Sequence, residues 1–92
     1  MYLEREADRS YENFTQKIYS SPSLENKVKE LIAMACSVMA DCMPCIEYHG
    51  KKAVEAGATK EEVQEAMAIT MTIAAGSKKA KYSALITEIL KD

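Results

Sequence analysis

The sequence predicts an all-α protein of about five helices. Its 92 residues include only three Gly, two Pro, one Phe and no Trp. The apolar residues are mostly Ala, Ile, Leu, Val and Met, a set that favours helices over strands. They recur at the three- to four-residue spacing of amphipathic helices, and no segment alternates as a strand does. We expect one domain, residues 1–92, whose core is modest enough to favour self-association.

The run S-S-P-S separates the first two predicted helices. The first is expected over roughly residues 3–19, and its apolar positions are Ala7, Tyr11, Phe14 and Ile18. Pro22 biases the preceding residue away from helical geometry, so Ser21 is expected to cap a second helix. The apolar stripe of the second helix is Leu24, Val28, Leu31, Ile32, Ala35 and Met39. Cys36 of that helix is expected to fill core space.

A third helix is expected from an Asp41 cap to Gly57, a residue suited to ending helices. Thr59 and Glu62 have capping-box spacing and predict the start of a fourth helix. This helix is expected to end at Gly76, before a last helix from about residue 78 onward.

Charge and hydropathy exclude some function classes. The net charge is −2, and no basic face with interleaved aromatic residues is present, so nucleic acid is not an expected partner. The longest apolar stretch, around residues 31–40, is far shorter than a membrane span, and the first residues are charged where a secretory signal is apolar. We expect a cytoplasmic protein, in which close cysteines are more often catalytic or metal-binding than structural.

The densest chemical signal is the run A-D-C-M-P-C-I-E-Y-H, which contains Cys42, Cys45 and the single histidine, His49. A cysteine at a helix start faces unpaired N–H groups and the positive end of the helix dipole, which favour its thiolate. C-x-x-C spacing also lets one sulfur resolve an oxidised form of the other. His49 lies one turn after Cys45 and can accept the thiol proton, provided that a carboxylate from another helix holds its second nitrogen.

The run E-L-I-A-M-A-C-S-V-M-A-D-C-M-P-C-I-E-Y-H, followed by K-K-A-V-E-A-G-A-T-K-E-E-V-Q-E-A, resembles the alkylhydroperoxidase D-like branch of the carboxymuconolactone decarboxylase superfamily. The resemblance covers roughly residues 24–75. It implies a proton relay and a redox dithiol made of Glu30, Cys42, Cys45 and His49. The implied activity is reduction of a peroxide or of an oxidised peroxiredoxin-like partner, with electrons from a thiol donor. It also implies a homo-oligomer, a trimer or hexamer, that completes the helical bundle.

One position departs from the best-known members of this branch. They carry a second histidine directly before the second cysteine, where this chain has Pro44. Since proline cannot take part in a proton relay, the resemblance is less specific for peroxidase activity than for dithiol exchange.

Three other interpretations remain open from the sequence. Cys42, Cys45 and His49 supply three of the four ligands that a structural zinc requires. The chain is alternatively a non-catalytic oligomeric helical module, or a lyase like the carboxymuconolactone decarboxylases, although that branch uses no redox dithiol. No organic cofactor is expected, because no Gly-rich phosphate loop occurs.

Overall fold

The computed structural model describes residues 4–91. Four helices make up the fold: α1 (Arg5–Tyr19), α2 (Asn26–Met39), α3 (Met43–Glu55) and α4 (Lys60–Ile89). The described residues contain no strand. The predicted all-α class is therefore confirmed, and the expected start of α1 at residue 3 lies outside the described residues.

The last two predicted helices are one. α4 continues through Gly76 for 30 residues, so the predicted break there is wrong. Glycine in a helix interior costs only about 1 kcal/mol relative to alanine. The residues around Gly76 are good helix formers, and no proline follows to force an end.

α2 also begins later than predicted. Its N-cap is Glu25, and Ser21 with Pro22 lies in the connection between α1 and α2. The ammonium group of Lys29 donates hydrogen bonds to the main-chain carbonyls of Tyr19 and Ser21. Because these carbonyls are held by a side chain of α2, the connection is fixed as a turn that ends α1 against α2.

The turn between α2 and α3 sets the position of the first site cysteine. The N–H of Cys42 donates to the carbonyl of Ser37 at 3.0 Å, and that of Asp41 donates to Val38 at 3.1 Å, the two bonds of a Schellman motif. Asp41 has φ 56°, a left-handed conformation that Asp tolerates better than most residues. The prediction that Asp41 caps α3 is therefore wrong: Asp41 ends α2, and Cys42 is the N-cap.

The turn between α3 and α4 agrees with the sequence. Gly57 has φ 101° after the end of α3, and the N–H of Ala58 donates to the carbonyl of Ala53 at 2.9 Å. Thr59 and Glu62 exchange the two hydrogen bonds of a capping box, as predicted. Both ends of this turn are thus fixed by local bonds, which orient α4 relative to α3.

The packed part of the described chain is small. α2 packs most extensively against α3 and less against α4. The buried apolar residues are Met34, Ala53 and Ala58. Every residue from 71 to 91 is exposed, although this stretch of α4 is rich in apolar side chains. The radius of gyration is 17.8 Å, against about 12 Å for a compact domain of this length. Among residues 4–91, no helix is long and apolar enough to cross a bilayer.

Candidate active site

Cys42 and Cys45 lie at the start of α3 and form a disulfide, with their Cα atoms 5.2 Å apart. Cys42 is the N-cap, and its Sγ accepts the main-chain N–H of Cys45 at 3.3 Å. Pro44 lies within the first turn of the helix, where its missing N–H leaves no helical hydrogen bond unmade. The helix start therefore holds both sulfurs on one turn, next to free N–H groups and the positive end of the helix dipole.

The imidazole of His49 contacts an acid from another helix. Its Nδ1 lies 2.8 Å from Oε2 of Glu30 on α2. The two side chains are largely shielded from solvent, with exposed fractions of 20% for His49 and 14% for Glu30. Because a carboxylate only accepts, Nδ1 donates the proton of this hydrogen bond, and Nε2 of the neutral ring is left as an acceptor.

An apolar cleft of about 570 Å³ joins these groups to the solvent. Cys42, Cys45 and His49 lie in its wall, with apolar side chains that include Leu24 and Ile32. The four predicted site residues are therefore connected: three line this cleft, and Glu30 contacts the third of them. Their roles in catalysis stay a prediction.

The third cysteine lies in the wall of the same cleft. Cys36 is a free thiol and is exposed, so the prediction that it fills core space is wrong. α2 is packed on α3 and α4 but is open on the side of this cleft, which leaves Cys36 accessible. The cleft therefore contains three sulfur atoms, two in the disulfide and one free.

Residues 5–88 match the sequence model of the carboxymuconolactone decarboxylase family. The chain belongs to the carboxymuconolactone decarboxylase family. The family resemblance predicted from the sequence is thereby confirmed.

Relatives support membership of the carboxymuconolactone decarboxylase family. The chain is 32% identical over 85 residues to an uncharacterised protein of the cox locus of Paracoccus denitrificans, a match covering 89% of this chain and 77% of that protein. It is 39% identical over 54 residues to an uncharacterised protein of Cupriavidus necator. That match covers 59% of this chain and 48% of the relative, so the aligned part is about half of that protein.

A crystal structure of a protein from Methanobacterium thermoautotrophicum has the same fold. The TM-score is 0.84 at 36% identity, and the superposition covers 94% of this chain and 99% of that chain. The likeness therefore extends along almost the whole of both chains, including the long α4.

Two aromatic rings contact the imidazole in this member of the carboxymuconolactone decarboxylase family. The ring of Tyr19 is stacked on His49, with centroids 5.7 Å apart and planes inclined by 12°. Tyr48 approaches the imidazole edge-on, at a centroid distance of 5.0 Å. Burial raises the pKa of the Tyr19 phenol above its ordinary value of 10.0, and the charge of Glu30 raises it further. The phenol therefore stays protonated at neutral pH and does not act there as a proton acceptor.

Sequence reasoning did not find Tyr19. It follows Ile18, the last position of the apolar stripe of α1, and no motif includes it. The one available signal was its place at the predicted end of a helix, where a large aromatic side chain often packs on a neighbouring element. Tyr48 adjoins His49 in sequence, but its neighbourhood alone did not decide its role.

The described residues contain no preformed site for the zinc ion considered from the sequence. Among residues 4–91, no three side chains of His, Cys, Asp or Glu are grouped as ligands would be. Both sulfurs at the start of α3 are bonded to each other. A metal would need them as separate thiolates, so binding would require the reduced protein and a different arrangement.

Proposed function

We propose that the protein is a thiol–disulfide oxidoreductase that reduces a peroxide with the Cys42–Cys45 dithiol. The observation that carries this proposal is the pair of His49 and Glu30, 2.8 Å apart, beside a cleft that contains both cysteines. A dithiol, a base and a residue that orients the base are the three parts that activated nucleophiles need. A lyase of the decarboxylase type has no use for such a dithiol.

The first step is the transfer of a thiol proton to His49. Nδ1 of the ring donates to Glu30, so the neutral ring presents Nε2 as the acceptor. The proton moves to Nε2 directly or through one water molecule, and the carboxylate stabilises the imidazolium that forms. Because both partners are mostly shielded from solvent, this charge-assisted contact is little screened.

In the second step a thiolate attacks the peroxide ROOH. A sulfur–oxygen bond forms, the O–O bond breaks, and RO⁻ takes a proton from the imidazolium and leaves as ROH. The second thiol then attacks the sulfenic acid and displaces water, giving the Cys42–Cys45 disulfide. Two electrons pass from the dithiol to the peroxide, and a thiol donor must return them before the next cycle.

Either cysteine is a candidate for the attack. His49 lies one turn beyond Cys45, which favours Cys45 as the thiol that it deprotonates. The N-cap position and the N–H of Cys45 at 3.3 Å from Sγ favour a thiolate at Cys42. We assign the more stable thiolate to Cys42, since its sulfur accepts the N–H of Cys45 at the positive end of the helix dipole.

We also propose partners and an assembly for this activity. An oxidised peroxiredoxin-like protein is an alternative to the free peroxide as oxidant, and a cytoplasmic location would supply the thiol donor. A homo-oligomer, a trimer or hexamer, is supported by the exposed apolar residues of α4, such as Ile73, Leu85 and Ile89. Residues 66–76 of α4 carry no charged side chain. A helix segment that is apolar all round needs burial on more than one side, and other copies of the chain would supply it.

Thiol counting tests the proposed function. Because Cys36 is a free and exposed thiol, the test uses the Cys36→Ser variant, which retains only the two proposed redox thiols. After reduction and removal of reductant, one equivalent of hydrogen peroxide or of an alkyl hydroperoxide should remove both thiols, and dithiothreitol should restore both. Thiol counts that stay at two after both oxidants would contradict the proposal. The Cys45→Ser variant in the same background is the control, since it should form no intramolecular disulfide.

A further inference from the structure

A second cleft lies behind His49. It measures about 490 Å³, and polar and charged residues line it, among them Glu30, Asn26, Lys52 and Glu55. The cysteines belong to the first cleft, and Glu30 belongs to the second. The two halves of the proposed relay therefore face different openings of the described chain.

The residues that border both clefts are Tyr19 and His49. Their rings are nearly parallel, with an inclination of 12° and a centroid separation of 5.7 Å. The stacked pair is thus a wall between the apolar cleft of the cysteines and the polar cleft of the acid. The imidazole contacts Glu30 through Nδ1, and His49 also lies in the wall of the cysteine cleft.

Tyr19 is held from its main chain as well as by its ring. The ammonium of Lys29 donates to the Tyr19 carbonyl at 2.8 Å and also to the carbonyl of Ser21. Within residues 4–91, α1 has no extensive packing against another helix, and its Tyr11 and Phe14 are more than half exposed. Tyr19, the last residue of α1, therefore joins this helix to α2 through its carbonyl and to His49 of α3 through its ring.

We propose that Tyr19 is a positioning residue of the relay: its ring holds the imidazole of His49 on Glu30 and separates the cysteine cleft from the polar cleft. This inference rests on the proposed function for its purpose, but its geometry does not depend on which oxidant reacts. With the wall in place, a bulky substrate fills the cysteine cleft while protons exchange with solvent through the polar cleft. Without the Tyr19 ring, the imidazole of His49 is free to turn about its side-chain torsions, and water enters between the imidazole and Glu30.

Two substitutions separate the ring from the hydroxyl group. Tyr19→Phe keeps the stacked face and removes only the phenol oxygen, so the relay should be preserved. Tyr19→Leu removes the aromatic face and keeps a smaller apolar side chain. The expected loss is about 2- to 12-fold in the rate at which the reduced protein forms its disulfide, which is what an aromatic pair contributes beyond its buried area.

The single histidine makes the direct readout unambiguous. Long-range ¹H–¹⁵N correlation spectra of the imidazole report which nitrogen carries the proton in the neutral ring. Wild type and Tyr19→Phe should show the Nδ1–H form that donates to Glu30. Tyr19→Leu should shift toward the mixture of tautomers that a solvated imidazole adopts. A Tyr19→Leu spectrum identical to that of wild type would overturn the inference.

The rate of thiol alkylation against pH is the second readout. His49 shares its two clefts with charged and titratable groups of three helices, and Tyr19→Leu changes only one of them. These groups are Tyr19 on α1, Lys29, Glu30 and Cys36 on α2, Tyr48, Lys52 and Glu55 on α3, and the two cysteines at the start of α3. Tyr19→Leu should displace the alkylation profile from that of wild type, and Tyr19→Phe should leave it in place. Equal displacement by both substitutions would assign the effect to the hydroxyl group and overturn the role of the ring.

Controls keep a folding defect apart from the proposed role. Tyr11→Leu changes a half-exposed tyrosine of the same helix and should alter neither readout. Lys29→Met releases the Tyr19 carbonyl without removing a ring, and it should shift the tautomer spectrum in the direction of Tyr19→Leu. An unchanged spectrum would contradict a role for this main-chain contact. Only the tautomer spectrum is used for this variant, because Lys29 also carries a positive charge in the wall of the cysteine cleft. Circular dichroism and solution mass confirm that each variant stays folded and assembled. If wild type never forms its disulfide with any oxidant, the proposed function fails, but the tautomer comparison still decides the role of Tyr19.

Discussion

Replacing Glu30 with glutamine removes one charge from the site and nearly nothing else. The amide that takes the place of the carboxylate would still offer an oxygen to Nδ1 of His49, so the hydrogen bond remains and only its ionic character is lost. A hydrogen bond to a charged group contributes about 1.5–3 kcal/mol, against about 1 kcal/mol for a neutral one. The pair is 2.8 Å long and mostly shielded from solvent, so little of this difference is screened.

We expect the Cys42–Cys45 dithiol of this variant to react more slowly with peroxide. A loss of about 0.5–2 kcal/mol in stabilising the imidazolium predicts a roughly 2- to 30-fold lower rate of peroxide-driven disulfide formation at neutral pH. The assay uses the reduced Cys36→Ser protein, mixed rapidly with peroxide and quenched into a thiol reagent at successive times. Circular dichroism of each variant shows whether the helices are retained.

A glutamate of α3 supplies the matched control. Glu47 is 70% exposed and pairs with Lys51 one turn away, so Glu47→Gln makes the same chemical change outside the site. It should alter the rate by less than about 2-fold, as expected for an exposed ion pair. If Glu30→Gln were as fast as Glu47→Gln, the charge of Glu30 would have no part in the reaction.

The remaining predictions concern the fold. Gly57→Ala should lower the free energy of unfolding in urea by about 1 kcal/mol or more, since φ is 101° there although an added Cβ meets nothing within 4 Å; an unchanged midpoint would contradict this. Thr59→Ala should cost about 1 kcal/mol through loss of the cap, and Thr59→Ser should restore most of it. The main-chain hydrogen bond at Thr59 and then Lys27 hold the pKa of Glu62 below its ordinary 4.5, so its stabilising contribution is present above that pH and lost as the pH falls through the folded-state value. Glu62→Gln should therefore flatten the pH dependence of stability in that range, and equal slopes would refute the assignment. Leu85→Glu should reduce the mass measured in solution, whereas a wild type that is already monomeric would contradict the proposed assembly.

Local signals in the sequence predicted local structure well. The Thr59 to Glu62 spacing predicted the start of α4, and Gly57 predicted the end of α3, because hydrogen bonds within a few residues decide both. The break expected at Gly76 was wrong, since one glycine is a small penalty in a run of good helix formers. Asp41 was assigned to the wrong helix: an Asp between two helices can cap the second or end the first, and sequence alone does not distinguish these.

The site could be predicted only in part. The spacing of Cys42, Cys45 and His49 is a property of one helix, so their common location followed from the sequence. Glu30 was reached through family resemblance, because its contact with His49 depends on how α2 packs against α3. The contact of Tyr19 with His49 depends on where α1 ends and how it meets α3, and the spacing of apolar residues does not contain that information. The exposure of Cys36 likewise depends on which face of α2 stays uncovered in the described chain.

The most direct test of the central claim measures how readily the thiols ionise with and without His49. Iodoacetamide alkylation of reduced Cys36→Ser protein is followed across pH, alongside the same protein carrying His49→Gln. If the imidazole receives the thiol proton, the histidine protein reacts quickly near neutral pH and the substitution moves the alkylation profile to higher pH. Superimposable profiles would contradict the account, since they would leave His49 and Glu30 without influence on the dithiol.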